Sequence, residues 1–130
     1  MKSFFLSLAC PLLLCGANLN NFELAKAVHQ VESSGRLDSK IIGDNGKAIG
    51  PLQIHFLNWK DATSFDKTIG GSYFDCHKLD YSERIFDAYL RKYAKNQSAE
   101  VRARTWNGGP SGAKKQSTNS YWNKIKKNLK

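Results

Sequence analysis

Residues 20–54 read NNFELAKAVHQVESSGRLDSKIIGDNGKAIGPLQI, a helix-forming segment followed directly by a hairpin-forming one. The paired asparagines at its start favour a helix N-terminus. Behind them the apolar residues recur at helical spacing: Leu24, Ala27, Val28 and Val31. Gly35 is a natural stop, because glycine readily adopts the left-handed conformation that ends many helices. We therefore predict a helix over about residues 22–34, with Glu32 in its last turn.

The second half of this stretch predicts a small sheet. Asn45-Gly46 lies between two short apolar runs, 40–43 and 48–54. An Asn-Gly pair in that setting is a strong local signal for a β-hairpin. Pro51 has no N–H to donate to a strand ladder, so we expect the sheet to be small and open at one edge. Asp44 falls at the turn of this hairpin.

The rest of the chain predicts helices separated by turns. They are expected over 56–62, from a capping-box sequence at 80–83 to about 93, from Ser98 to about 106, and from Thr118 or Asn119 onward. The helix that starts near 80 has a continuous apolar stripe and is the candidate core helix. Residues 107–112, NGGPSG, predict a turn-rich loop. The predicted fold class is therefore α+β and mainly α, with one small hairpin after the first helix.

The N-terminal residues have the pattern of a secretory signal. A positive start is followed by the apolar run 3–14 and by the small residues Gly16 and Ala17. The apolar run is too short to span a bilayer, and Pro11 interrupts it as a helix. We expect a signal peptide over 1–17 and one domain over 18–130, secreted or periplasmic after cleavage.

That cleavage would change the cysteine content. It removes Cys10 and Cys15 and leaves Cys76 alone, so the exported domain would have no internal disulfide. A lipoprotein acylated at Cys10 or Cys15 is less favoured than a cleaved signal peptide. The residue before Cys15 is too large for such a site, and the apolar run before Cys10 is short. We expect Cys76 to be a small buried hydrophobe. No second cysteine or histidine lies at ligand spacing from Cys76-His77, so neither a metal nor another cofactor is expected.

The charge distribution favours a polyanionic partner. The formal net charge is +9, and residues 101–130 hold eight lysines and arginines without one acidic residue. A basic exported protein is expected to bind cell-wall polymers, anionic lipids or nucleic acid. A solvated basic tail without a binding role would have the same charge distribution. The sequence has no nucleic-acid-binding motif. We therefore expect a monomer with a cell-wall partner, no nucleic acid and no stable membrane insertion.

Glu32 and Asp44 are candidates for glycoside hydrolysis. That reaction uses one carboxylic acid that is still protonated near neutral pH and a second carboxylate that is ionised. Apolar surroundings can raise the pKa of the acid to about 6. Val28 and Val31 and the negative end of the helix dipole would favour neutral Glu32, whereas Asp44 at a turn can stay charged. Both residue types are also common at such positions without any function.

Two blocks of sequence resemble the lysozyme superfamily. Residues 31–35, VESSG, resemble its catalytic segment, and residues 46–54, GKAIGPLQI, resemble its hairpin ending in Gly-x-x-Gln-Ile. The C-terminal third is similar to the end of invertebrate-type (destabilase-like) lysozymes. The matching residues there are Ala103-Arg104, Asn107-Gly108-Gly109-Pro110-Ser111-Gly112, Thr118 and Tyr121-Trp122. The resemblance covers nearly the whole predicted domain.

The resemblance implies a lysozyme-like fold and hydrolysis of the β-1,4 bonds of bacterial peptidoglycan. It implies Glu32 as the general acid and Asp44 as the second carboxylate. Asp38 is the fallback, but it lies so near the helix end that it would crowd Glu32. The predicted sugar-binding residues are Gln53, His55, Trp106, Asn107 and Gly108.

Some residues depart from this family or have two readings. The family is disulfide-rich and usually has histidine where this chain has Trp106, so the isopeptidase activity of some relatives is not carried over. Trp106 can stack on a sugar or fill the core. His29 either tunes Glu32 or has no role, and His55 is a cleft residue or an exposed strand end. Tyr121, with Trp122 beside it, is expected to anchor the last helix.

The sequence is also compatible with two other functions. A lytic transglycosylase of the same superfamily would use Glu32 alone, first as acid and then as base, while a hydroxyl of the sugar closes an anhydro ring. A non-catalytic cationic wall-binding protein would rely on the basic C-terminal region instead.

Overall fold

The computed structural model describes residues 19–38 and 40–129, which form five α-helices and one three-stranded antiparallel sheet. The helices are α1 (Asn21–Ser33), α2 (Phe56–Phe65), α3 (Leu79–Tyr93), α4 (Ala99–Gly108) and α5 (Asn119–Asn128). The strands are β1 (Ile42–Gly43), β2 (Ala48–Ile49) and β3 (Ile54–His55). The predicted α+β, mainly α class is confirmed. The predicted signal peptide, with Cys10 and Cys15, lies outside the described residues.

Helix α1 has well-defined ends. At its start, the Asn20 side chain accepts the Glu23 N–H (2.8 Å) and the Glu23 carboxylate accepts the Asn20 N–H (2.9 Å), which is a capping box. At its end, Ser34 and Gly35 have left-handed backbone (φ 55° and 75°), and their N–H groups donate back to carbonyls of the last turn. Glu32 lies in that turn, as predicted.

The sheet has three strands where the sequence predicted one hairpin. Ala48 lies opposite Gly43 on one side and His55 on the other. The predicted hairpin is present as β1 and β2, but the apolar run 48–54 is divided, because Gly50 has left-handed backbone (φ 78°) and Pro51 has no N–H for a ladder. The chain therefore turns back after two residues and forms a third strand.

Helix α3 is the central helix, as its apolar stripe predicted, and it packs against α1, α2 and α4. Ile85, Phe86 and Leu90 are completely buried. Burial of a side chain of this size stabilises the fold by about 1.5–3 kcal/mol. The predicted capping box at its start is wrong: the helix begins at Leu79, and Asp80 accepts a hydrogen bond within the first turn.

Two other helices are longer than predicted. Helix α2 continues to Phe65, and α4 takes in Asn107 and Gly108, which the sequence assigned to a loop. The Gly109 N–H still donates to the Thr105 carbonyl (2.9 Å), which closes one more helical turn. The start of α4 is as predicted, since the Ser98 hydroxyl accepts the Val101 N–H.

Arg102 in α4 ties that helix to the start of α1. Its guanidinium donates to the side chain of Asn21 (2.8 Å) and to the carbonyl of Leu19 (2.5 Å). Asn21 in turn donates to Asp87 of α3 (2.9 Å). Because Arg102 is only 7% exposed, these acceptors replace water around its charge. The contact fixes α1 relative to α3 and α4.

None of the described helices combines the length and the apolar character needed to cross a bilayer.

Ser82→Ala is expected to destabilise the fold by about 1–2 kcal/mol. The Ser82 hydroxyl is fully buried and donates to the carbonyl of Cys76 (2.7 Å), a cysteine that is itself buried, as predicted. Alanine leaves that carbonyl without its hydroxyl partner in an apolar setting. Denaturant unfolding measures the loss, with the exposed Ser64→Ala as the matched control. Equal midpoints for the two variants would contradict the assignment.

Candidate active site

A cleft of about 750 Å³ is lined by the sheet and the start of α2, which form the sheet wall, and by the ends of α1 and α4, which form the helical wall. It is lined by most of the residues that the sequence singled out: Glu32, Asp44, Gln53, His55, Trp106 and Asn107. Gly108 is not among the described residues that line it, and its carbonyl instead accepts a hydrogen bond from Lys115 (2.6 Å). The neighbouring Gly109 takes that place on the wall. Glu32 and Asn107, which are 75 positions apart in the sequence, thus line the same cleft.

Glu32 lies on the helical wall, and its carboxyl group is largely withdrawn from water. Burial raises the pKa of Glu32 above its ordinary value. Two weaker influences oppose that rise, a hydrogen bond from Tyr121 and the positive charge of Lys124. Because burial outweighs both, Glu32 keeps its proton to higher pH than an exposed glutamic acid. It can therefore act as a proton donor.

Tyr121 of α5 contacts Glu32 directly. Its hydroxyl donates to Glu32 Oε1 over 3.1 Å, and α1 packs against α5 along this contact. Burial and the neighbouring carboxyl group raise the pKa of Tyr121 well above its usual value, so the hydroxyl remains a donor. Tyr121 does anchor the last helix, as predicted, since it is 8% exposed. The sequence missed its second role because no local pattern links residues 89 positions apart.

Asp44 lies across the cleft on the turn between β1 and β2. Its backbone is left-handed (φ 52°), and its side chain is exposed. His55 on β3 lies beside it, with 3.3 Å between His55 Nε2 and Asp44 Oδ2. Since an exposed carboxylate is solvated by water, Asp44 and Glu32 are in opposite environments. The two carboxyl groups that line the cleft therefore differ in their exposure to water.

Asp38, the fallback, is in a different position. It is exposed and accepts two hydrogen bonds from Arg36, the shorter at 2.7 Å. It is not among the described residues that line the cleft. The geometry therefore favours Asp44 over Asp38 as the partner of Glu32.

His29 makes a structural hydrogen bond next to the end of α1. Its Nε2 lies 2.7 Å from the carbonyl of Arg36, and the ring is mostly buried. This hydrogen bond holds the segment that follows α1 against the helix. The side chain therefore stabilises the position of the chain after Glu32.

Gln53 and Trp106 form two parts of the wall. Gln53 donates from Nε2 to the carbonyl of Gly50 (2.9 Å), and its Oε1 lies so close to Gly43 that a Cβ there would come within 2.1 Å of it. Trp106 is only 5% exposed and packs edge-on against Phe86, with 4.8 Å between ring centroids. It is mainly a core residue that shows one edge to the cleft.

The cleft also has a set of residues that the sequence analysis missed. They are Lys47, Phe56, Leu57, Asn58 and Tyr73. The available signal was position alone, since Lys47 and residues 56–58 flank the predicted sheet.

As for metal ions, the described residues contain no group of three or more histidine, cysteine, aspartate or glutamate side chains placed to hold one.

Comparison with known proteins gives a consistent set of relatives. No family model matches the chain. It is 34% identical over 85 residues to a lysozyme of Meretrix lusoria, a match that covers 61% of this chain and 70% of that protein. It is 33% identical over 86 residues to lysozyme 1 of Crassostrea virginica, covering 62% of this chain and 45% of that longer relative.

Solved structures agree with the sequence matches. The Meretrix lusoria lysozyme in complex with PliI of Aeromonas hydrophila gives a TM-score of 0.67 at 29% identity, over 84% of this chain and 89% of that one. The Tapes japonica lysozyme gives 0.68 at 25% identity, over 81% and 87%. Sequence and fold point to the same group of bivalve enzymes.

Proposed function

The chain belongs to the invertebrate-type lysozymes, and we propose that it hydrolyses the β-1,4 glycosidic bonds of bacterial peptidoglycan. Glu32 is the general acid and Asp44 the second carboxylate. One observation carries the proposal: a partly buried carboxyl group with a raised pKa, at the end of α1, and an exposed carboxylate, between β1 and β2, line the same cleft. We also propose export after removal of residues 1–17, which would bring the protein to its substrate.

In the first step Glu32 gives its proton to the glycosidic oxygen. The bond between that oxygen and the anomeric carbon then breaks, and the leaving sugar departs as an alcohol. Burial raises the pKa of Glu32 and so keeps the proton available to higher pH than in an exposed glutamic acid. The Tyr121 hydroxyl, 3.1 Å from Oε1, stabilises the carboxylate that forms when the proton leaves.

Asp44 stabilises the positive charge that develops at the anomeric carbon as that bond breaks, and in the second step water completes the reaction. The water oxygen bonds to the anomeric carbon, and one of its protons returns to Glu32. His55, 3.3 Å from Asp44 Oδ2, holds the Asp44 carboxylate in place on the sheet wall. Gln53 and Asn107 supply amide groups to the sugars from the two walls.

Reducing-end release from purified peptidoglycan tests this function. A lysozyme creates one new reducing end per bond cleaved. We expect wild-type protein to release reducing ends in step with the clearing of the wall suspension. Clearing without new reducing ends would contradict the proposal. It would leave a lytic transglycosylase, whose anhydro products have no free reducing end, or a non-catalytic cationic protein.

Tyr121→Phe is expected to move the pH–rate profile. The Tyr121 hydrogen bond lowers the pKa of Glu32, so its removal raises that pKa further. The alkaline limb of the kcat/KM profile should therefore shift to higher pH, while kcat falls by roughly twofold to tenfold because one hydrogen bond to the carboxylate is lost. Tyr93→Phe, which removes a hydroxyl bound to Asp61, is the control. An unshifted profile for Tyr121→Phe would show that the contact does not influence the acid.

A further inference from the structure

The sheet wall of the cleft carries a cation next to an apolar surface. Lys47 is the one lysine or arginine among the described residues that line the cleft, and it is exposed. No ion pair joins Lys47 to any part of the chain that the structure describes. Phe56 and Leu57 line the same wall with exposures of 49% and 70%. Exposed apolar side chains inside a cleft favour a ligand that covers them.

These side chains are held together by the sheet. Ala48 pairs with His55 in the antiparallel ladder of β2 and β3. Lys47 precedes Ala48 and Phe56 follows His55, so the two residues lie at the same end of that ladder. The Tyr73 hydroxyl donates to the Ile54 carbonyl (2.7 Å), and the Tyr73 ring meets Phe56 edge-on at 5.4 Å between centroids. The same hydroxyl lies 3.4 Å from the Lys47 carbonyl. Tyr73 therefore fixes Lys47 and Phe56 beside each other.

The Lys47 patch, defined as Lys47, Phe56, Leu57 and Asn58, combines three kinds of chemistry. It offers one positive charge, two apolar side chains and one amide. An unsubstituted glycan has hydroxyl and acetamido groups but no charge for Lys47 to bind. Peptidoglycan differs from such a glycan in the short stem peptides on its muramic acid residues, which carry free carboxylates, alanine methyl groups and amide bonds. The patch matches that set.

We propose that the Lys47 patch binds the carboxylate-bearing stem peptide of peptidoglycan while the glycan strand occupies the part of the cleft between Glu32 and Asp44. The inference rests on the proposed function and adds a substrate preference to it. The protein would cleave peptide-bearing glycan faster than the same glycan without peptides, because only the former reaches the patch. Lys47 is thus a specificity-determining residue for the reaction.

Two substrates from one preparation test the preference. Purified peptidoglycan is compared with the same material stripped of its peptides by an N-acetylmuramoyl-L-alanine amidase. The lactyl carboxylates that the amidase frees are then converted to methyl amides, so that the stripped glycan carries no charge. We expect a higher kcat/KM on the peptide-bearing form. In Lys47→Gln the ratio of the two kcat/KM values should fall by about threefold to fivefold, the size of an exposed ion pair. Lys47→Arg should keep the ratio, and Lys60→Gln, which loses an exposed charge on α2 away from the cleft, is the matched control.

A binding measurement separates this inference from the proposed function. Glu32→Gln protein is titrated calorimetrically with soluble peptide-bearing and peptide-free glycan fragments, so no cleavage is needed. We expect tighter binding of the peptide-bearing fragment and a difference that shrinks at high salt, as screening predicts. Equal binding and equal kcat/KM for the two forms, or a ratio that Lys47→Gln leaves intact, would overturn the inference. Failure of wild type to cleave either form would instead refute the proposed function.

Discussion

Glu32→Gln is expected to lower kcat for peptidoglycan cleavage by about a thousandfold or more. The amide keeps the shape of the side chain and can still accept the Tyr121 hydrogen bond, but it has no proton of suitable acidity for the leaving oxygen. No described carboxyl group lies close enough on the helical wall to replace it, since the other acidic residue lining the cleft is Asp44 on the sheet wall. Reducing-end release at several pH values measures the loss.

A stability measurement provides the control for that variant. The pKa of Glu32 is raised in the folded protein by burial, so folding is favoured by the protonated form. That contribution is fully present below the ordinary pKa of glutamic acid and is lost as pH rises through the raised folded value. Glu32→Gln has no such loss. We therefore expect its denaturant midpoint at pH 8 to equal or exceed that of wild type, and a lower midpoint would mean that the loss of activity reflects misfolding.

Asp44→Asn is expected to lower kcat by about a hundredfold to a thousandfold. The variant removes the negative charge that stabilises the anomeric carbon in the transition state, which is worth about 3–4 kcal/mol in comparable electrostatic sites. The asparagine can still take the left-handed backbone that Asp44 adopts, so the turn should be preserved. The same reducing-end assay applies.

Asp38→Asn is the matched control for this prediction. It makes the same chemical change on the exposed carboxylate that pairs with Arg36 outside the cleft. We expect wild-type activity from it. If Asp44→Asn kept full activity, or if Asp38→Asn lost it, the assignment of the second carboxylate would be wrong.

Local patterns predicted much of this fold. The ends of α1 and the start of α4 follow from side-chain caps and a left-handed glycine, which depend on residues a few positions apart. The third strand was missed because the apolar run from Ala48 looks continuous. Only the backbone at Gly50 and the missing N–H of Pro51 divide it, and a hydrophobic pattern does not record backbone dihedral angles.

The candidate site was predicted unevenly for a related reason. Glu32 lies within a short motif that carries the resemblance, and Asp44 lies two residues before another, so the sequence could single out both as candidates. Tyr121 reaches Glu32 only because α5 packs against α1, and such contacts depend on tertiary structure. Lys47 and Phe56 lie next to recognised residues, but their shared position became visible only through the register of β2 and β3. Sequence motifs pointed to the candidate carboxyl groups, and the fold showed which residues surround them.

Digestion of peptidoglycan in ¹⁸O-labelled water tests the central claim most directly. If Glu32 and Asp44 catalyse hydrolysis, mass spectrometry will find one ¹⁸O atom at each new reducing end formed by the wild-type protein. The yield should drop in both Glu32→Gln and Asp44→Asn. Products that carry no label and have lost the elements of water, made at an undiminished rate by Asp44→Asn, would contradict the account. They would identify a transglycosylase that uses Glu32 alone.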